Sequence, residues 1–219
     1  MIPKIIWQTY ETDYKDLSDK AKQLIDSWKS LNPEWEYQYC SKEKRELIVK
    51  NNFGEEWYQI YKSYKLDVLR SDLWRYMCLY LYGGLYSDLD MLCKKPIESW
   101  LDISSKFVVS IEPDTDGYTQ SIFASEPKSI FLTNILNDIK DQYCKNIQYS
   151  NIIDYEIKET GYIIFTDSIN KTLKNTQDGF IEFVGDDAKI IHQDSIEHYY
   201  AGNGGIFDSS YKSWKTESI

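Results

Sequence analysis

The stretch from Leu66 to Asp90 narrows most what this chain can become. Leu66, Leu69, Leu73, Met77 and Tyr80 recur at three- and four-residue spacing, which is one stripe of a helix. Gly83-Gly84 stops that helix, and Leu85 to Met91 reads as a short strand. On a strand, alternate side chains share a face, so Asp88 and Asp90 are expected on one side while Leu89 enters the core. Two carboxylates so close repel, and both stay ionised cheaply only with a cation or good donors between them. Hard oxygen ligands of this kind suit Mg²⁺ or Mn²⁺, ions that favour partners bringing phosphate oxygens. Such a site can neutralise a diphosphate leaving group. A bare Asp-x-Asp is common on protein surfaces; this one stands out by position. The paired glycines turn the backbone where the chain leaves the sheet, and ligands of open α/β sheets bind beyond strand C-terminal ends.

Asp72 and Arg75 are three apart and share a helix face, which is also the spacing of an ordinary ion pair. The chain has 25 basic residues but only three arginines, Arg45, Arg70 and Arg75, and two of them stand in this helix. Arginine's planar fork suits a site where several oxygens must be held in geometry.

The rest of the chain alternates strands and helices. Ile2 to Trp7 opens as a strand, and Leu17, Ala21, Leu24, Ile25, Trp28 and Leu31 then mark a helix that Asn32-Pro33 ends. Trp35, Tyr37 and Tyr39 alternate with polar residues as a half-buried strand. Ser41 is placed to cap a helix carrying Leu47 and Ile48, and Asn51 to Gly54 breaks the chain before another helical stretch. Strands are expected at 107–111, 180–184 and 188–191, with a helix at 129–143. This order predicts an α/β domain with a largely parallel central sheet flanked by helices. At 219 residues one domain, 1–219, accommodates the chain, and the Gly-, Ser- and Asn-rich run 202–219 reads as a mobile tail.

A net charge of −10 argues against general binding to nucleic acid or anionic membrane. No apolar run approaches a membrane span, and Ile2-Pro3-Lys4-Ile5-Ile6-Trp7 lacks the features of a signal peptide. Cys40, Cys78, Cys93 and Cys144 lie far apart with no CxxC spacing, and they read as reduced thiols of a cytoplasmic protein.

The segment SDLWRYMCLYLYGGLYSDLD, with the N-terminal IPKIIWQTY, resembles the DXD sugar-binding glycosyltransferases of family 32. These are related to capsular polysaccharide synthesis enzymes, yeast-type initiating mannosyltransferases and, more distantly, the glucosylating clostridial toxins. The resemblance covers residues 2 to about 100, weakens towards 200 and returns at Lys212-Ser213-Trp214-Lys215. It implies a GT-A fold, a nucleotide-sugar donor, a Mn²⁺ or Mg²⁺ ion and transfer with retention of anomeric configuration, in polysaccharide biosynthesis or a related pathway. Asp72 and Arg75 would hold donor-sugar hydroxyls, Asp88 would contact ribose, sugar or metal, and Asp90 would be the principal metal ligand. Thr9 and Tyr86 would complete the donor wall. Trp7 is placed either to stack on the base, which favours a UDP-sugar over GDP-mannose, or as a core aromatic at a strand end.

The third metal ligand is open among Asp208, His192 and His198. Ser213 and Trp214 would close over the diphosphate, with Trp214 joining Asp72 and Arg75 in catalysis, or the tail would pack permanently on the domain. Thr160-Gly161-Tyr162 is similar to a Thr-Gly-Pro segment of the family, with Tyr for Pro, and no role follows from it. The acceptor, whether glycan, lipid or protein, is not encoded in any readable motif. Two other readings are a non-catalytic nucleotide-sugar- or carbohydrate-binding domain on the same fold and a haloacid-dehalogenase-like phosphatase. The second requires its Asp pair after the first strand, followed by Thr or Val, whereas here the pair sits near residue 90 and Met91 follows.

Overall fold

A computed structural model of the chain describes residues 1–111, 117–175, 188–191 and 196–198. The opening segment forms β1 (Ile5–Thr9), followed by α1 (Asp19–Leu31). Ser18 caps α1 by accepting a hydrogen bond from the Ala21 N–H at 3.1 Å. Asn32 ends it, donating to the Trp28 carbonyl at 2.8 Å and accepting from the Ile97 N–H at 2.6 Å. Then come β2 (Glu36–Cys40), α2 (Lys42–Asn52), α3 (Gly54–Ser63) and α4 (Asp67–Tyr82). Beyond α4 lie β3 (Gly84–Ser87), β4 (Met91–Cys93), β5 (Phe107–Ile111), β6 (Tyr118–Ser125) and α5 (Ile130–Cys144). The described part closes with α6 (Ile152–Glu159), α7 (Tyr162–Asn175), β7 (Ala188–Ile191) and β8 (Ile196–His198).

The main sheet has the order β2-β1-β3-β6-β5-β7. β1 runs parallel to β2 and β3, and β5 parallel to β7, while β6 is antiparallel to both β3 and β5. Strand alternation divides the core. Trp7, Tyr86, Phe107, Val109 and Phe123 face α4, α5 and α7, whereas Ile6, Leu85, Val108, Ile122 and Ala124 pack with Trp28 of α1. The architecture is thus α/β with helices on both faces of a mostly parallel sheet.

Three expectations need correcting. The helix expected to bury one stripe is buried nearly all round: Trp74, Tyr76 and Cys78 are as hidden as Leu73 and Met77. It sits beneath the sheet with α2, α3, α5 and α6 around it, so it has almost no solvent face. The strand expected to reach Met91 stops at Ser87, and Asp88 to Met91 is a tight turn closed by the Met91 N–H on the Asp88 carbonyl at 3.3 Å. Finally, β6, α6 and α7 were not anticipated. Ile122, Phe123, Ala124 and Ser125 are buried consecutively, as in a strand covered on both sides, so β6 carries no clean alternation to read. The strand expected at 180–184 lies outside the described residues.

Gly83 and Gly84 make the helix-to-strand turn with φ of +65° and +104°. A Cβ on Gly84 would stand 2.5 Å from the Ile5 carbonyl oxygen, so glycine is needed both for the backbone and for the close approach of β1.

Candidate functional site

β3 delivers the carboxylate turn to the C-terminal end of a central strand, between β1 and β6, and four bonds fix its backbone. The Asp88 N–H donates to the Ser121 carbonyl of β6 at 2.8 Å. The Asp88 carbonyl accepts from Gln8 Nε2 at 2.9 Å and Ser87 Oγ at 3.1 Å, besides the Met91 N–H. Gln8 is fully buried, and its Oε1 accepts from the Tyr37 hydroxyl at 2.8 Å, so β1 and β2 together brace the turn. Leu89 plugs into the cluster of Leu17, Leu24 and Tyr39, as expected of the residue between the two acids. Asp88 and Asp90 are left partly exposed, two residues apart in a turn rather than on a shared strand face.

Behind Asp88 lies Arg75. Its Nη1 lies 3.4 Å from Asp88 Oδ1 and donates to the Gln120 carbonyl at 3.0 Å, and its Nη2 lies 2.7 Å from Asp72 Oδ1. The guanidinium carbon stands 4.6 Å over the Tyr86 ring, whose hydroxyl donates to Asp88 Oδ1 at 2.6 Å. One cation is thereby shared between two carboxylates and an aromatic face, the arrangement for which arginine's fork is suited. Burial alone would pull the Arg75 guanidinium's pKa down, but Tyr86, Asp88 and Asp72 push it above its ordinary value. Burial raises the Asp72 pKa above the usual carboxylate range, opposed first by Arg75.

Of the residues singled out from sequence, Asp72, Arg75, Tyr86 and Asp88 are brought together, with Asp90 beside them in the turn. Asp72 is 1% exposed, so it stands behind Arg75 rather than on the open surface. Thr9 is also buried. Its hydroxyl donates to the Cys40 carbonyl at 2.6 Å and accepts from Arg45 Nη1 at 3.1 Å. Of the two arginines on α4, Arg70 pairs with Asp67 at 2.8 Å, while Arg75 is the one that meets the acids. His192, Asp208, Ser213 and Trp214 lie outside the described residues. The backbone of β8 sets His198 opposite Met91, next to Asp90 in the chain.

Trp7 is the correction at this site. It is 7% exposed, its Nε1–H donates to the Gly83 carbonyl at 3.0 Å, and its ring stacks on Tyr82 and meets Trp74 edge-on. On β1 it faces α4, which makes it the core aromatic and not a base platform. Trp7→Phe is therefore expected to lower stability by about 1–3 kcal/mol, through the orphaned Gly83 carbonyl and lost ring area, without weakening nucleotide affinity in the folded protein. Urea unfolding and calorimetry with UDP and GDP check the two halves separately.

Sequence reading missed Gln8, Gln120, Ser121 and Thr160. Thr160 Oγ1 donates to Asp72 Oδ2 at 3.1 Å. The Thr-Gly segment carried that signal, but without the fold nothing linked it to α4.

The carboxylates suit a divalent ion that completes its shell from elsewhere. Among the described residues no three His, Cys, Asp or Glu side chains gather into a metal cage. Two hard oxygen donors on a braced, partly exposed turn nonetheless fit Mg²⁺ or Mn²⁺, which bind through one or two carboxylates plus substrate phosphate oxygens.

Residues 18–107 match a family described as a glycosyltransferase sugar-binding region containing a DXD motif. The chain is 24% identical over 98% of its length to an uncharacterized glycosyltransferase of Acanthamoeba polyphaga mimivirus, spanning 84% of that protein. Over 63% of its length it is 29% identical to inositol phosphoceramide mannosyltransferase 1 of Schizosaccharomyces pombe, of which it spans only 43%. Among solved structures, the PaToxG glycosyltransferase shares the fold with a TM-score of 0.58 and 14% identity, covering 79% of this chain and 70% of that one. The UDP-bound glycosyltransferase domain of the YGT toxin does so at 0.53 and 11%, covering 86% and 79%. Among the described residues no helix is long and apolar enough to cross a membrane. The braced Asp88-Leu89-Asp90 turn and the buried Asp72–Arg75 pair behind it both fall inside the matched sugar-binding region, and the chain is similar in sequence to glycosyltransferases and in fold to glycosyltransferase domains of solved structure.

Proposed function

We propose that the chain transfers a hexose from a nucleoside-diphosphate sugar to a hydroxyl of a glycan, lipid or protein acceptor, with retention and with a bound Mn²⁺ or Mg²⁺. The observation that carries the reading is the braced turn. It offers Asp88 and Asp90 to solvent while Arg75, Tyr86 and Gln8 hold the turn from behind. Transfer breaks the bond between the sugar's anomeric carbon and the diphosphate oxygen, whose electron pair leaves with the diphosphate. The acceptor oxygen takes its place on that carbon and gives up its proton. A divalent ion, when bound, offsets the charge that accumulates on the diphosphate. Asp90 and Asp88 would hold the ion, Tyr86 and Arg75 would set the angle of the Asp88 carboxylate, and Arg75 would face the sugar end of the donor. The Ser213–Trp214 tail would cover the diphosphate against water.

A UDP-sugar remains the proposed donor, supported by the shared fold of the UDP-bound toxin domain. The mannosyltransferase names among the fungal relatives make GDP-mannose the comparison to run. Incubation with a panel of UDP- and GDP-sugars, with and without Mn²⁺, should release nucleoside diphosphate from one class only in the presence of metal. Binding of a nucleotide sugar with no release under any condition would instead indicate a binding domain. Release of inorganic phosphate from simple phosphate esters would indicate a phosphatase.

A further inference from the structure

β6 carries a distortion beside the carboxylate turn. The adjacent residues Val109 and Ser110 of β5 face Phe123 and Thr119 of β6, so Gln120, Ser121 and Ile122 have no partner on β5. Bulges of this kind bend a strand and re-aim its side chains, and they recur next to active sites. On its other side β6 still pairs Ile122 with Ser87 of β3, and the Ser121 carbonyl accepts from the Asp88 N–H at 2.8 Å. Thr119 and Ile122 are buried, but Gln120 and Ser121 between them are partly exposed. The bulge therefore brings Gln120 to the surface one residue from the bond that holds Asp88.

Gln120 is held through both its backbone and its side chain. Its backbone carbonyl accepts from Arg75 Nη1 at 3.0 Å, the nitrogen that lies 3.4 Å from Asp88 Oδ1. Its side-chain amide meets the Tyr76 hydroxyl, which also lies 2.8 Å from the Thr160 carbonyl. A phenol has one proton, and burial, which raises the Tyr76 pKa well above its ordinary value, keeps that proton in place. A backbone carbonyl can only accept, so Tyr76 donates to Thr160. The Gln120 amide must then offer its NH₂ to the phenol oxygen, because two acceptors make no bond without a proton between them. In that orientation the amide's carbonyl oxygen is the outer atom, and it has no hydrogen bond to the described residues.

An acceptor at this place has a use. Asp72 is buried and turned to Arg75 and Thr160, and Asp88 and Asp90 are the ligands proposed for the ion. A neutral carbonyl beside them accepts from a hydroxyl without adding a charge that would repel a diphosphate. We propose that Gln120 is a specificity-determining residue of the donor site: its NH₂ is fixed on Tyr76, and its amide oxygen accepts a hydrogen bond from a hydroxyl of the transferred hexose. The hexose contact rests on the donor reading above, whereas the orientation of the amide does not.

The orientation is tested without any ligand. In ¹⁵N-labelled protein the Gln120 NH₂ signals are assigned by their loss in Gln120→Met, and their exchange with water is measured by NMR. Held on the buried Tyr76 oxygen, they are expected to exchange at least about tenfold more slowly than exposed Asn and Gln amides. Exchange as fast as that of exposed amides overturns the proposal.

The hexose contact is tested by calorimetry with Mn²⁺ and UDP, UDP-glucose, GDP and GDP-mannose. Gln120→Ala is expected to weaken binding of the sugar nucleotide that wild type takes by about three- to tenfold, the range of one neutral hydrogen bond. The matching nucleoside diphosphate should bind as tightly as it does to wild type. Gln120→Met keeps the length of the side chain without its polar atoms, so it should lose as much as the Ala variant. Both variants keep the backbone carbonyl that Arg75 uses. Recovery by Met, an equal loss for sugar nucleotide and free nucleotide, or no loss for either overturns the proposal. Unchanged donor affinity with slower transfer to an added acceptor overturns it too, and assigns the amide to the acceptor instead. If wild type binds none of the four nucleotides, the donor reading fails and takes the hexose contact with it, while the exchange rates still decide which way the amide points.

Discussion

Asp90→Asn is expected to lower nucleoside-diphosphate release at least about 100-fold while leaving the melting temperature within a degree or two of wild type. The activity loss follows from the turn. Asp90 is half-exposed at its tip, where a neutral amide is a poor ligand for a hard cation, and loss of one preorganised electrostatic partner commonly costs about 10²–10³ in rate. Stability should hold because Asp90 stands partly exposed at the tip of the turn, and surface substitutions of this kind stay within about 0.5 kcal/mol. Asp88→Asn is the internal contrast. It weakens the contacts to Tyr86 and Arg75 as well, so it should lose turnover and stability together. The measurement is release from the preferred nucleotide sugar over a Mn²⁺ titration, alongside thermal melts. Full turnover by Asp90→Asn, or by metal-stripped wild type, would remove the metal from the proposed reaction.

How much of this site was legible in the sequence depends on how local each signal is. The acids, the arginine and the paired glycines fall within Asp72–Asp90, so helical spacing and a turn signal were enough to place them near one another. Gly83-Gly84 was readable because positive φ has few residue types to serve it. The shared-face argument for Asp88 and Asp90 failed because alternation cannot tell a strand from a turn that interrupts it after Ser87. Trp7 shows the complementary weakness. At a strand end an aromatic can face a ligand or a helix, and only the packing of α4 against β1 decides. Gln8, Ser121 and Thr160 were illegible for a different reason. Each acts through a partner tens of residues away, and Gln8 in isolation resembles an ordinary surface residue. Their burial is a property of the sheet order and of α6 folding back over α4, neither of which the periodicity of 110–175 revealed.

Arg75 should be the costliest residue of the site to remove. It is buried, and its charge is divided between Asp72 and Asp88 while its plane lies over Tyr86. Arg75→Ala therefore leaves Asp72 buried without its counter-ion and removes the cation behind Asp88. Breaking a buried pair from one side costs about 3–5 kcal/mol. For a chain of this length each kcal/mol moves the melting temperature by about 2–4 °C, so a fall of roughly 6–20 °C is expected. Part of that loss should be recovered in acid, where Asp72 takes up a proton and no longer needs a partner. Its proton affinity is already raised by burial, and losing Arg75, the largest opposing influence, raises it further. The gap between wild type and Arg75→Ala should thus narrow as pH falls and widen as it rises. Arg75→Lys separates charge from geometry. An ammonium can neutralise one neighbour at a time but cannot span the Gln120 carbonyl, Asp72 and Asp88 together, so Lys should recover stability well ahead of turnover. If Lys restores both equally, Arg75 serves only as a buried counter-ion, and the aim of its fork at the donor is not part of catalysis.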